Sequence, residues 1–153
     1  MCGYVGVFGN LEKKELLTKS LKAIKHRGPD NMDYFYGENI SLGFARLAIQ
    51  DLTPLANQPI LHPSKEFIMV FNGEIYNHMN LRKNIKSTKN NILLSQSNSD
   101  TITLLTLIHE LGISRTLDLV KGMFSIAIYY FSENKLVLVR DHFGQKPLYY
   151  KVE

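Results

Sequence analysis

A layered α+β domain is what these 153 residues predict, on two observations. Apolar residues alternate at strand spacing in several short runs, most clearly at Phe124, Ile126, Ile128 and Tyr130. Between those runs lie segments with helical spacing, around 11–25, 77–86 and 100–111. Strands whose apolar faces are covered by helices imply stacked layers. No internal repeat, low-complexity tract or linker divides the sequence, so residues 1–153 read as one domain.

In chain order, 4–8 reads as a short strand followed by a Gly9-Asn10 turn. Leu17, Leu21 and Ile24 then recur on one helix face, with lysines opposite. His26-Arg27-Gly28-Pro29-Asp30 breaks that helix, and strands are expected at 33–36 and 40–47. Pro54, Pro59 and Pro63 mark a loop running to about Ser64. Residues 67–71 form the next expected strand, ending at the turn dipeptide Asn72-Gly73. The helix at 100–111 has Ser99 or Asp100 as its cap and Gly112 as its stop. A hairpin joins 124–130 to 135–140 through Ser132-Glu133-Asn134, and 148–150 reads as a last strand.

Composition excludes several function classes. No apolar run approaches the roughly 18 residues of a membrane span, and Lys13 and Lys14 interrupt the N-terminal apolar stretch as no signal peptide would. A single cysteine rules out an intramolecular disulfide and a multi-cysteine zinc site, and suits the cytoplasm. The net charge is +4. Lysines and arginines gather at Lys13, Lys14, Lys19, Lys22 and Lys25, and again at Arg82, Lys83, Lys86 and Lys89. Both groups fall on helical segments and read as solvated faces. Nucleic-acid binding would want a denser stripe with stacking aromatics.

The one cysteine, Cys2, directly follows Met1. Removal of Met1 would place a thiol and a free α-amino group on the same residue. The amine titrates at about 7.7–8.0, so one residue would supply nucleophile and base together. The competing readings are a small buried hydrophobe and a lipidated terminus, the latter lacking a second anchoring signal. Cleaving a carboxamide also needs donors for an oxyanion. The Asn72 side chain and the Gly73 N–H fit that need, although Asn-Gly is first of all a turn dipeptide. Arg46 suits a substrate carboxylate and Asp100 a substrate ammonium, capping being the plainer role of Asp100.

Larger strings now carry a resemblance. Met1-Cys2-Gly3 with Gly6-Val7-Phe8, His26-Arg27-Gly28-Pro29-Asp30 and 42–49 (Leu-Gly-Phe-Ala-Arg-Leu-Ala-Ile) come first. Asn57-Gln58-Pro59, 71–77 (Phe-Asn-Gly-Glu-Ile-Tyr-Asn), Ser99-Asp100, Gly122-Met123-Phe124 and the 140–150 segment beginning Arg-Asp-His-Phe-Gly follow in order. Together they resemble class II glutamine amidotransferases, specifically the glutaminase half of glutamine-hydrolysing asparagine synthetases. Glucosamine-phosphate synthases and purine amidotransferases fit less well, because their arginine segment usually reads His-Thr-Arg-Trp where this chain has Phe44-Ala45-Arg46-Leu47.

The resemblance implies a four-layer αββα sandwich of the N-terminal-nucleophile hydrolase type. It implies attack by Cys2 on the glutamine amide, with Asn72 and Gly73 as the oxyanion hole. Arg46 would hold the substrate carboxylate, Leu47 and Ile49 would add backbone contacts, and Glu74 and Asp100 would bind the amino group. The Arg-Gly-Pro-Asp and Arg-Asp-His-Phe-Gly segments read as structural, the latter facing a partner domain as the alternative. The implied partners are L-glutamine and a synthetase domain or separate subunit, and a homodimer is allowed. No cofactor is expected in this domain, ATP and Mg belonging to the synthetase domain alone. The Ser-Gly-Gly-x-Asp-Ser loop of that domain does not occur here, nor does a P-loop. The family's further strands after 150 would also be missing, so a truncated or split protein with an unpaired sheet edge is expected. Other acceptors, such as a cell-surface sugar precursor, and a non-catalytic remnant remain as alternatives.

Overall fold

Each predicted strand segment inside 2–140 finds a partner in one of two antiparallel sheets. The structure, a computed structural model, describes residues 2–9, 13–49, 53–85 and 91–152. The expected turn residue Asn10, the first residues of the 11–25 helix, and Lys86 and Lys89 lie outside that set. The first sheet contains β1 (Gly3–Phe8), β2 (Asn31–Tyr36) and β3 (Ile40–Arg46) in the order β1-β3-β2. The second contains β4 (Ile60–Leu61), β5 (Phe67–Ile75), β6 (Gly122–Tyr130) and β7 (Lys135–Arg140) in sequence order.

Every residue of β3 is buried, because both of its faces are covered. Ile40, Leu42 and Phe44 point to one side and pack with Ile68 and Val70 of β5 and Ala127 and Tyr129 of β6. Leu17 and Leu21, both fully buried, come from helix α1 (Lys13–Ala23), and a Cβ on Gly43 would meet Leu21 on the opposite side of β3. Alternation also divides β5 and β6. Phe67, Met69, Phe71, Phe124, Ile126 and Ile128 form a second cluster with Leu104, Leu105, Leu107 and Ile108. Those leucines belong to the long helix at Asp100–Leu119. Each large apolar side chain buried this way contributes about 1.5–3 kcal/mol of transfer free energy.

Three further helical elements follow β5. They are α2 (His78–Lys83), α3 (Asn91–Gln96) and α4 (Asp100–Leu119). The first is shorter than its apolar pattern suggested, and the second was not anticipated. Gly112 does break α4, at φ 76° and ψ 163°, but the chain resumes helical geometry beyond it instead of stopping there. Ser99 is the N-cap of α4, its side chain accepting from Thr101 N, which releases Asp100 for another role.

Two strand expectations fail. β5 does not end at Asn72-Gly73 but continues to Ile75, paired throughout with β6 as Asn72↔Ser125, Gly73↔Phe124 and Ile75↔Gly122. Long-range pairing overrides the local turn preference of Asn-Gly. Residues 148–150 join no ladder, and Tyr149 is 90% exposed. Lys14, Lys19 and Lys22 of α1 are exposed as predicted, whereas Arg82 turns inward. No helix among the described residues is long and apolar enough to cross a membrane.

At the far end of β5, His62 is 1% exposed and stacks between Phe67 and His109, at ring-centroid distances of 5.3 and 4.0 Å. Its Nδ1 lies 2.8 Å from Ser64 Oγ. Burial, then the neighbouring His109, push its pKa down to about 4, against the pull of Glu66 and Glu110. The unfolded chain binds this proton near pH 6.5 and the fold resists it. Stability carried by neutral His62 is therefore complete above about pH 6.5 and declines as pH falls toward 4. Thermal melts should show that decline between those limits, and His62→Phe should flatten it. Equal slopes for the two proteins would refute the assignment.

Candidate active site

Strand parity builds the site. Ile68 and Val70 of β5 face the first sheet, so Asn72 and Glu74, two and four residues further along, face the same way. Had the chain turned at Asn72, neither side chain would reach that face. Cys2 precedes β1 and packs against the apolar cluster between the sheets. Its thiol donates to Leu47 O at 3.6 Å, and Leu47 N–H donates back to the sulfur at 3.3 Å. Leu47, expected as a backbone contact for substrate, thus engages the cysteine itself. Arg27 Nε donates to Cys2 O at 3.1 Å, and Asp30 accepts from Ala48 N at 2.8 Å. The Arg-Gly-Pro-Asp segment therefore frames Cys2 and the stretch after β3. Gly28 is obligatory there, since a Cβ would lie 2.2 Å from the Ala45 carbonyl.

Backbone direction along β5 has a further consequence. N–H groups two residues apart on a strand point to the same side. Phe71 N–H donates to Gln58 Oε1, and Ile75 N–H donates to Asp100 Oδ2 at 2.9 Å. Both point away from β6, where β4 pairs only as far as Met69. Gly73 N–H lies between them in the same alternation and points to the same open side, beside the Asn72 side chain. Gly73 must also remain glycine, because a Cβ would sit 2.3 Å from Met123 O.

The charged groups are held firmly. Arg46 is 8% exposed, and its Nη1 donates to Thr53 O at 2.9 Å and to Asn57 Oδ1. Gln58 brackets Phe71 with both ends of its amide, Nε2 donating to Phe71 O at 3.1 Å. Asp100 is buried, and that burial raises its carboxyl above the ordinary value; Glu74 adds to the rise, while Ile75 N–H, Thr101 N–H and His78 oppose it. Glu74 is partly buried beside it.

All eight residues singled out in the sequence (Cys2, Arg46, Leu47, Ile49, Asn72, Gly73, Glu74 and Asp100) line one cavity of about 160 Å³. Three contributors were not assigned from sequence. Gln58 and Lys146 also line the cavity, and Asn57 holds Arg46 from behind. The Asn-Gln-Pro string was visible, but a polar pair in a proline-rich loop gives no sign of what it faces.

Lys146 arrives through a clamp built on Asp141. One Asp141 oxygen accepts from Phe124 N at 3.1 Å and Lys146 N at 2.9 Å, the other from Phe143 N at 3.1 Å and Gln145 N at 2.9 Å. Desolvation alone would raise this carboxyl, and the four backbone donors together bring it below its usual range. Phe143 stands 88% exposed above the clamp. Among the described residues, no group of three or more His, Cys, Asp or Glu side chains is placed to hold a metal ion.

A cysteine thiol at the end of a cleft between two sheets, with a buried guanidinium and two carboxylates around it, defines a class of site that offers groups of both charges to a ligand. Comparison with known proteins gives that class its family. The family model described as a glutamine amidotransferase domain matches residues 1–153, and the chain belongs to that family. Over 98% of its length it is 35% identical to the glutamine-hydrolyzing asparagine synthetase 1 of Bacillus subtilis (strain 168). It is also 35% identical to a putative glutamine-hydrolyzing asparagine synthetase 2 of Methanocaldococcus jannaschii, over 98% of the chain. The glutamine-hydrolyzing asparagine synthetase B of Escherichia coli (strain K12) is 35% identical over 97% of it. The chain spans 24%, 32% and 26% of the length of these three relatives, respectively.

Proposed function

We propose that the chain, processed to begin at Cys2, hydrolyses the side-chain amide of L-glutamine through a thioester on Cys2 and releases ammonia. The observation that carries this is the meeting of the Cys2 sulfur, Asn72 and the Gly73 N–H at one cavity whose other walls hold Arg46, Glu74 and Asp100. The stacking of α1, two sheets and α4 supports a four-layer sandwich of the N-terminal-nucleophile type.

In this scheme the α-amino group of Cys2 takes the thiol proton as sulfur attacks the amide carbon. The oxyanion receives hydrogen bonds from Asn72 Nδ2 and Gly73 N–H. Collapse breaks the C–N bond, and the amine leaves as ammonia with the proton carried by the α-amino group. Water activated by the same amine then cleaves the thioester, giving glutamate and the free thiol. Arg46 pairs with the substrate carboxylate, and Glu74 and Asp100 receive its ammonium group. Leu47 holds the sulfur through its backbone C=O and N–H. Ile49, 72% exposed, stands at the open side of the cavity.

The ammonia would pass to an ATP- and Mg-dependent synthetase unit, on the same polypeptide or a separate one. The names of the relatives favour aspartate as acceptor. Ammonia release from glutamine by the chain beginning at Cys2 tests the proposal. A residue left in front of Cys2 converts its amine to an amide and should abolish turnover. Equal turnover by the extended chain would exclude the α-amino group as base.

A further inference from the structure

Arg82 belongs to α2, does not line the cavity, and reads in sequence as one more surface cation. Its guanidinium instead collects four acceptors from three neighbouring segments. Nη2 donates to Ser97 O at 2.7 Å and to Leu94 O, while Nη1 reaches Thr103 Oγ1 at 3.3 Å and Ser99 O at 3.5 Å. Leu94 belongs to α3, Ser97 and Ser99 form the bend before α4, and Thr103 lies in the first turn of α4.

The bend is also internally braced. Ser97 Oγ accepts from Ser99 N at 3.1 Å, Ser99 Oγ accepts from Thr101 N at 3.1 Å, and Thr103 Oγ1 donates to Ser99 O at 3.2 Å. Asp100 is the next residue, with one carboxylate oxygen on Ile75 N at the end of β5. A fork of five N–H donors can hold several carbonyls in fixed relative positions, which a point-like ammonium cannot do. The bend fixed by Arg82 is the one from which Asp100 enters the cavity.

We propose that Arg82 is a positioning residue for recognition of the substrate's α-ammonium group, acting through the 97–99 bend on Asp100. This rests on the glutamine-binding role of Asp100 proposed above. Loss of the guanidinium frees the bend, so the Asp100 carboxylate no longer meets the ammonium in fixed geometry. Binding of the amide and carboxylate ends of the substrate, at Asn72-Gly73 and Arg46, is left in place.

The test compares L-glutamine with 4-carbamoylbutanoate, which has the same amide and carboxylate but no amino group. In the full chain beginning at Cys2, Arg82→Met should raise the KM for glutamine about tenfold, the scale of one charge-assisted hydrogen bond, with kcat within about twofold. The inhibition constant of 4-carbamoylbutanoate against glutamine hydrolysis should stay within about twofold. Arg82→Lys should fall between wild type and Arg82→Met, and it carries the same comparison if Arg82→Met does not fold. Equal losses for both compounds, or no change in either, would overturn the assignment of Arg82. A wild-type chain that binds both compounds equally well would instead overturn the ammonium-binding role of Asp100.

Discussion

Cys2→Ala is expected to lower glutamine hydrolysis by roughly 10⁴-fold or more, because it removes the nucleophile of the proposed scheme. The sequence holds one cysteine, so no second thiol can substitute. Stability should change little. Cys2 is only partly buried at the margin of the cluster between the sheets, and its sulfur makes two long contacts to the Leu47 backbone. A melt within a few degrees of wild type, beside abolished ammonia release, separates chemistry from folding. Cys2→Ser should also be inactive in practice, since the hydroxyl is a far weaker nucleophile with the same amine as base. Substantial turnover by Cys2→Ala, measured as ammonia released from glutamine, would rule out the thioester.

Asn72→Ala should cost about 10²–10³ in kcat with a smaller change in KM, the size found for removing one side-chain donor from an oxyanion hole. The geometry explains why the loss falls on kcat. In the proposed scheme Asn72 and Gly73 meet the charge that develops on the amide oxygen, whereas Arg46, Glu74 and Asp100 would hold ends of the substrate whose charge does not change. Asn72 is the better position for this test than its neighbour. Gly73→Ala would force a Cβ to 2.3 Å from Met123 O and part β5 from β6, so loss of activity there would say nothing about the oxyanion. Steady-state kinetics decide the matter. A tenfold rise in KM with unchanged kcat would move Asn72 from the oxyanion hole to ground-state binding.

Much of this site is legible in sequence because its residues sit inside long, ordered strings. Arg46 ends a strand pattern, Asn72 and Gly73 follow another, and Asp100 opens a capped helix. What local pattern cannot supply is the direction in which they face. Asn72-Gly73 carries a turn preference, and only pairing with Ser125 and Phe124, some fifty residues away, keeps it extended and aims the Gly73 N–H into the cavity. Arg82 has the spacing of a solvated charge, and its acceptors are carbonyls whose positions depend on how α2, α3 and α4 meet. Gln58 and Asn57 work through hydrogen bonds to a strand and to a guanidinium, which composition does not encode. The error at 148–150 has the same root. Leu148, Tyr149 and Tyr150 have strand-like composition, but a strand exists only where another edge receives it.

The proposed scheme requires Cys2, as the first residue of the processed chain, to bond covalently to the side-chain amide carbon (Cδ) of glutamine. Intact-protein mass spectrometry after incubation with a diazoketone analogue of glutamine tests it most directly. The predicted result is one adduct per chain, mapped to Cys2 and suppressed by excess L-glutamine. A folded chain beginning at Cys2 that gains no adduct, or an adduct that excess glutamine leaves undiminished, would contradict it.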